Sequence, residues 1–154
     1  MINLYDELKN LIIALNKQKV EYALCGGLAM AVHELPRATI DIDLLTTQQQ
    51  LSGLLEVATS RQFTLKGLDM SFAQGNVEIR RVSRIDSESG EVLTLDVLLV
   101  TPAFQEVWET RLKVVWENNP LWVVSREGLI KLKSYRMSGQ DLDDIKRLRG
   151  EYEN

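Results

Sequence analysis

Two aspartates stand one residue apart in an otherwise apolar stretch, TIDIDLLT, at residues 39–46. In a β-strand the side chains of Asp41 and Asp43 point to the same face, about 7 Å apart along the strand. Two such carboxylates repel each other unless a cation lies between or beside them, and their hard oxygens suit Mg²⁺. The alternative is an edge strand whose polar face meets water. The pair alone fits either a cation site or a solvated edge.

A third carboxylate, Asp96, interrupts the apolar run VLTLDVLLV at residues 92–100. No turn or helix start explains an aspartate there, and an unpaired buried carboxylate is costly. One interpretation is a single edge-facing or salt-bridged residue. The other is a sheet neighbour of Asp41 and Asp43 that completes an acidic cluster. Such a cluster can hold two Mg²⁺ ions, or accept the proton of an attacking hydroxyl beside one ion.

Two glycines, Gly26 and Gly27, separate a predicted strand from a predicted helix. Backbone N–H groups at a helix start favour anions, and glycine lets a phosphate approach the backbone closely. A tight strand-to-helix turn requires glycine for purely local reasons, so the pair alone leaves both interpretations open.

The hydrophobic periodicity predicts a mixed α/β (α+β) fold around one sheet, in a single domain over residues 1–154. Pro36 is expected to end the second helix, residues 87–90 (SESG) to form a hairpin turn, and Ser125 to cap a late helix. The predicted helices cover residues 3–18, 28–35, 48–60, 103–109, 126–137 and 141–152. The predicted strands cover residues 20–25, 38–46, 63–67, 76–86, 92–100, 112–116 and 121–125.

Composition narrows the class of protein. The net charge of −4 gives no general attraction for nucleic acid, although one local patch could still hold it. A single cysteine, Cys25, allows no internal disulfide, which favours the reducing cytoplasm. No apolar run reaches about 18 residues, and the first ten residues lack a signal-peptide pattern, so neither a membrane span nor secretion is expected.

The order of these motifs resembles the nucleotidyltransferase superfamily, which shares the DNA polymerase β fold. Its signature is a Gly-Gly or Gly-Ser at a helix start, an Asp-x-Asp or Asp-x-Glu strand, and a later acidic strand residue. More closely, the segment GGLAMAVHELPRATIDIDLL is similar to minimal members related to the AbiEii-type toxins of toxin–antitoxin and phage-defence systems. The matching positions are Gly26, Gly27, Ala29, His33, Arg37, Thr39, Asp41 and Asp43.

The C-terminal segment LIKLKSYRMSGQDLDDIKRL also resembles that group. Lys133 falls on a lysine position, and Asp141 and Asp144 fall on two acidic positions. Many relatives carry a basic residue where this chain has Ser138-Gly139, and Arg136 is the candidate substitute. The resemblance implies a mixed central β-sheet flanked by helices, with a helical C-terminal segment.

The resemblance also implies roles for individual residues. Asp41, Asp43 and Asp96 would be the catalytic and metal-binding residues, holding Mg²⁺ or in its place Mn²⁺. The nucleoside triphosphate would be bound by Gly26, Gly27, Arg37, Thr39 and Lys133. For Lys133 the alternative is a solvated helix lysine, and for Arg37 a role in the loop after Pro36. His33 is expected to be a satisfied orienting residue, while Asp141 and Asp144 would brace the last helix against Arg136 or Lys133.

The leading hypothesis is therefore a Mg²⁺-dependent nucleotidyltransferase that acts on a hydroxyl of a tRNA end, a protein side chain or a small molecule. A non-catalytic interaction or regulatory module of the same fold is the alternative. A toxin with a cognate antitoxin as its partner is a third, weaker hypothesis.

Two other residue groups have simpler interpretations. The arginines of RRVSR lie on a predicted strand, with Arg80 and Arg84 on one face and Arg81 on the other. We expect an exposed strand face there rather than an RNA-contact surface. The late tryptophans favour core or dimer packing over base stacking.

Overall fold

Short strands and amphipathic helices alternate along the chain in this computed structural model, which describes residues 2–36, 39–136 and 139–150. The helices are α1 (Leu4–Lys17), α2 (Gly26–Val32), α3 (Leu51–Ser60), α4 (Gln105–Glu109), α5 (Arg126–Ser134) and α6 (Gly139–Arg149), with a 3-10 turn at Pro102–Phe104. The strands are β1 (Ala23–Cys25), β2 (Asp41–Thr46), β3 (Leu65–Lys66), β4 (Met70–Phe72), β5 (Val77–Ile85), β6 (Val92–Leu99), β7 (Leu112–Trp116) and β8 (Asn119–Val123).

The strands form one mixed sheet in the order β3-β5-β6-β2-β1-β8-β7, and β4 also pairs with β5. Strand β2 runs parallel to β6 and antiparallel to β1, while β1 runs parallel to β8. Helices flank this sheet: α1 contacts α3, β2 and β8, α2 contacts β1 and β2, and α5 contacts α4 and α6. The predicted fold class, a mixed central sheet flanked by helices with a helical C-terminal segment, is confirmed.

Helix α1 shows why the sequence folds as predicted in this region. The Asn3 side chain accepts hydrogen bonds from the backbone N–H groups of Tyr5 and Asp6, which caps the helix start. One stripe of the helix is buried in the core, and its members are Leu8, Leu11, Ile12 and Leu15. Burial of this apolar stripe, rather than helix propensity alone, stabilises the helix.

The end of α2 differs from the prediction that Pro36 would stop it. The helix ends at Val32, and Glu34 adopts a left-handed conformation with φ of 64°. The Leu35 N–H then bonds to the Met30 carbonyl at 2.8 Å, which closes the helix in a Schellman-type turn. The helix therefore ends four residues before Pro36, so the proline does not terminate it.

The β-rich middle contains one strand that the pattern did not predict. Residues 63–67 form only the two-residue strand β3, and β4 follows it in pairing with β5. The turn after β4 holds Ala73 and Gln74 at positive φ, where glycine or asparagine is usual. The turn also contains Gly75 at φ of 83°, but the three-residue strand before it is too short to show a periodic pattern.

The hairpin predicted around residues 87–90 joins β5 to β6. Asp86 and Glu91 close the turn through a 2.8 Å backbone hydrogen bond, and Ile85 pairs with Val92. The register then places Arg81 directly opposite Asp96. No helix in the described ranges has the length and apolar character that crossing a membrane requires.

Candidate active site

The three predicted acidic residues lie on adjacent strands. Asp43 of β2 is the direct register partner of Asp96 on the parallel strand β6, and Asp41 pairs with Thr94. Because Asp41 and Asp43 are two residues apart, they share one face of the sheet, and neighbouring parallel strands place Asp96 on that face too. The structure thus brings Asp96 beside two carboxylates that lie more than fifty residues earlier in the chain.

Gly26 lies directly against this acidic group. It begins α2 with φ of +68°, a conformation that L side chains rarely adopt. A Cβ at this position would also collide with the carboxylate and Cβ of Asp43. Glycine is therefore required both by the turn, as the local interpretation held, and by the close approach of Asp43 to the backbone.

The carboxylates sit in an environment that penalises negative charge. Burial, followed by the charge of Asp96, raises the pKa of Asp43 to about 7. The same two causes, in the same order, raise the pKa of Asp41 above its usual range. Among the described residues neither side chain has a lysine or arginine in an ion pair. A bound cation would relieve this unfavourable charge.

Asp96 differs because a cation already holds it. The Arg81 guanidinium donates from Nε to Oδ1 at 2.8 Å and from its second terminal nitrogen to Oδ2 at 3.0 Å. Asp96 is therefore salt-bridged, as one interpretation held, and is also a sheet neighbour of Asp43, as the other held. This hydrogen bond also raises the pKa of Arg81 above its ordinary value.

Arg81 is the site residue that the sequence analysis missed. The expectation of an exposed strand face for the arginines of β5 does not hold, since Arg84 is also partly buried and bonds Glu7 at 2.6 Å. The predicted turn at residues 87–90 already indicated that Arg81 lies beside Asp96. In an antiparallel hairpin, each residue back along β5 pairs with one residue further along β6. Asp86 opposite Glu91 therefore places Arg81 opposite Asp96.

Lys133 of α5 is buried, with only 4% of its surface exposed, so the solvated-lysine alternative is wrong. Its Nζ lies 2.9 Å from Asp144 and 3.9 Å from Asp141 of α6. Arg136 Nε lies 3.5 Å from Asp141, and Gln140 donates to Asp144 at 2.9 Å. The prediction that Asp141 and Asp144 brace the last helix is confirmed by these contacts.

His33 donates from Nε2 to the carbonyl of Val124 at 2.7 Å, which ties the end of α2 to the segment after β8. The ring is therefore satisfied, as expected of an orienting residue, although it is partly rather than fully buried.

A cavity of about 440 Å³ joins these groups. Among the described residues it is lined by Gly26, Gly27, Thr39, Ile40, Asp41, Asp43, Arg81, Asp96, Lys133, Arg136 and Gln140. All the predicted site residues except Arg37 therefore face one space. Arg37 and Ser138 lie outside the described residues.

The fit of this site to a divalent cation depends on its donor set. Asp41 and Asp43 supply hard oxygens whose charge is unbalanced, which suits Mg²⁺. Within the part of the chain that the structure describes, no three histidine, cysteine, aspartate or glutamate side chains already converge as metal ligands. Asp96 faces its two Arg81 donors. The residues fit a cation held by the β2 pair, with Asp96 adjacent.

A mixed sheet flanked by helices, with an Asp-x-Asp strand beside a glycine-started helix and a third aspartate on the neighbouring parallel strand, defines a nucleotidyltransferase. The chain belongs to this class: residues 1–149 match the family described as "Nucleotidyltransferase of unknown function (DUF6036)". A sequence comparison with curated proteins gives no significant match.

Solved structures share the fold at low sequence identity. A proposed nucleotidyltransferase from Thermotoga maritima, TM1012, is 17% identical with a TM-score of 0.63, covering 97% of this chain and 94% of that chain. The lincosamide antibiotic adenylyltransferase LnuA, bound to lincomycin, is 16% identical with a TM-score of 0.59, covering 96% and 97%. ANT(2")-Ia, in complex with adenylyl-2"-tobramycin, is 15% identical with a TM-score of 0.57, covering 92% and 84%. The closer resemblance to AbiEii-type toxins stays a prediction.

Proposed function

We propose that this nucleotidyltransferase uses Mg²⁺, held by Asp41 and Asp43, to transfer a nucleotidyl group from a nucleoside triphosphate to a hydroxyl acceptor. The observation that carries the proposal is that Asp41, Asp43 and Asp96 line one cavity together with the cationic side chains of Lys133 and Arg136. Negative donors for a metal and positive partners for phosphates then face the same volume.

Each residue has a defined role in this reaction. Bound Mg²⁺, or Mn²⁺ in its place, would offset the charge that develops on the triphosphate and on the leaving pyrophosphate. The oxygen of the acceptor hydroxyl attacks the α-phosphorus, and Asp96 accepts the proton of that hydroxyl. The bond between the α-phosphorus and the oxygen that bridges to the β-phosphate breaks, which releases pyrophosphate. Lys133 pairs with the phosphates through its compact ammonium charge, and Arg136 pairs with them through the planar fork of donors on its guanidinium.

The remaining nucleotide contacts come from the start of α2 and the segment before β2. Gly26, Gly27 and Thr39 line the cavity, and the backbone N–H groups at the start of α2 are proposed to face phosphate there. Arg37, which is not among the described residues, is proposed to contact phosphate as well.

The acceptor is proposed to be a tRNA end, a protein side chain or a small molecule. The two antibiotic adenylyltransferases of the same fold act on small molecules, which makes that class the first to test. A cytoplasmic location and a cognate antitoxin partner are further proposals, the first because Cys25 is a free thiol.

The non-catalytic alternative draws support from one contact, the double hydrogen bond by which Arg81 holds Asp96. An Asp96 held permanently in that way could not serve as a base. This alternative predicts an intact fold that does not bind nucleotide in a metal-dependent manner.

Calorimetric titration with ATP and Mg²⁺ tests the proposed function. The wild-type protein is expected to bind with micromolar affinity, and binding should disappear with a chelator and in an Asp41→Asn, Asp43→Asn variant. Asp69→Asn is the matched control, because this carboxylate is half exposed and lies outside the cavity. Equal binding by wild type and the double variant would refute the proposed function.

A further inference from the structure

The contact between Arg81 and Asp96 joins two residues of very different exposure. The Asp96 side chain is 10% exposed, whereas 42% of the Arg81 side-chain surface is open to solvent. The carboxylate is therefore the fixed partner and the guanidinium the accessible one. A displaced Arg81 can be hydrated in the open part of the cavity, but an abandoned Asp96 would remain buried beside Asp43.

Arg81 engages both oxygens of Asp96, so another ligand would have to share this carboxylate with the guanidinium. Both carboxylate oxygens accept from the planar fork of Arg81, which is the strongest common arrangement of an arginine with a carboxylate. A divalent cation held by Asp41 and Asp43 that also recruited Asp96 would bind one of these oxygens and would repel the guanidinium. Metal and Arg81 therefore compete for one carboxylate.

The surrounding chain holds Arg81 in this position. Gly67 donates its N–H to the Arg81 carbonyl at 2.9 Å, and a Cβ at Gly67 would lie 3.1 Å from Arg81 Cγ. The absence of a side chain at residue 67 thus leaves room for the Arg81 stem beside the sheet. Cross-strand pairing with Asp96 then directs the guanidinium at the carboxylate.

We propose that Arg81 is an exchangeable counter-ion, a positioning residue that holds Asp96 while the site lacks metal and must leave it before Asp96 can join a divalent cation. This role rests on the proposed function, since it requires a metal at the β2 aspartates. It accounts for how an Asp96 that is held by arginine can nevertheless belong to a functional acidic cluster.

Titration with Mn²⁺ alone, without nucleotide, tests the exchange directly. At pH 8, above the pKa of about 7 of Asp43, we expect Arg81→Gln to bind Mn²⁺ at least about tenfold more tightly than wild type. That factor corresponds to the loss of one competing charge-assisted hydrogen bond. Arg80→Gln is the matched control, because Arg80 is the preceding residue of β5, points to the other face and pairs with Asp69. It should bind Mn²⁺ as wild type does.

Two further variants separate exchange from a general structural effect. In an Asp96→Asn background, Arg81→Gln should give no gain in Mn²⁺ affinity, because the contested carboxylate is gone. Arg81→Lys keeps the charge but loses the fork, so it should bind Mn²⁺ more tightly than wild type by a smaller factor. If Arg81→Gln does not fold, as judged by thermal unfolding, Arg81→Lys provides the comparison.

Equal or weaker Mn²⁺ binding by the Arg81 variants than by wild type would overturn the proposal. So would a gain that persists in the Asp96→Asn background, or the absence of Mn²⁺ binding to wild type and variants alike. These outcomes leave the proposed function to its own test, the loss of MgATP binding when Asp41 and Asp43 are changed. Asp43→Asn binding Mn²⁺ as tightly as wild type would instead remove the metal site from β2 and overturn both.

Discussion

At the level of single residues, the site combines carboxylates that repel one another with a glycine that has no room for a side chain. Asp43 stands at the centre, between Asp41 on its own strand, Asp96 on the next strand and Gly26 at the helix start. The sequence pattern could predict the types and order of these residues. It could not predict the partly buried, uncompensated state of Asp43, because that depends on which strands become neighbours.

Asp43 should make the stability of the metal-free protein dependent on pH. Its pKa is about 7 in the folded state and near 3.9 when unfolded, so protonation favours folding. This stabilising contribution is fully present below about pH 4 and is lost as pH rises through about 7. With a chelator present at pH 8, we expect the free energy of unfolding of Asp43→Asn to exceed that of wild type by about 1–3 kcal/mol. Near pH 4 the two proteins should differ little, as urea unfolding would show. The same difference at both pH values would contradict this assignment.

Gly26 should tolerate alanine poorly. Alanine there combines a left-handed backbone with a collision against Asp43, and we expect a loss of more than about 2 kcal/mol of unfolding free energy. Gly90→Ala is the matched control, because Gly90 also has positive φ (+74°) but no atom lies within 4 Å of the added Cβ. It should lose only about 1 kcal/mol. Similar losses for both variants, measured by denaturant unfolding, would show that Asp43 does not crowd the helix start.

At the level of elements, local contacts were the predictable part of this fold. The β5–β6 hairpin closes around four residues, and its register follows from that turn, including the pairing of Arg81 with Asp96. The parallel pairing of β2 with β6 joins strands about fifty residues apart, and no local signal specifies it. The strand β4 was missed because it is only three residues long, and its turn holds Ala73 and Gln74 at positive φ before Gly75.

The α5–α6 unit should depend on the buried pair of Lys133 and Asp144. Removing Asp144 leaves the buried Lys133 ammonium with its longer contact, 3.9 Å to Asp141, so we expect Asp144→Ala to cost about 3 kcal/mol of unfolding free energy. The double variant Lys133→Met, Asp144→Ala should lose less than the sum of the single losses, because the two changes remove one interaction. Asp143→Ala, one residue earlier and exposed, should lose little. Additive losses in a double-mutant cycle would show that the pair is not coupled.

At the level of the whole molecule, one hydrophobic core runs from α1 through the sheet to α5 and α6. The tryptophans lie in α4 and the β7–β8 hairpin. Arg111 lies 3.8 Å from the Trp108 ring centroid and 4.8 Å from that of Trp122, while the Trp116 ring centroid lies 6.4 Å from that of Tyr5. This packing fits the expected core role of the tryptophans. We propose that residues 1–154 form a single domain, as the sequence indicated.

A single domain should unfold in one cooperative step. Tryptophan fluorescence reports on the region of α4, β7 and β8, whereas far-ultraviolet circular dichroism reports on every helix and strand. We expect both signals to give the same urea midpoint. Separate midpoints would show that the tryptophan region and the remainder unfold independently, and would contradict the single-domain proposal.

The most direct test of the central claim is a crystal structure with Mn²⁺ and a non-hydrolysable ATP analogue, using anomalous scattering to locate the metal. We expect an Mn²⁺ peak at about 2.1 Å from carboxylate oxygens of Asp41 and Asp43, with Asp96 released from Arg81 and turned towards the metal. An Mn²⁺ peak elsewhere, or a nucleotide bound while Asp41 and Asp43 touch no metal, would contradict it.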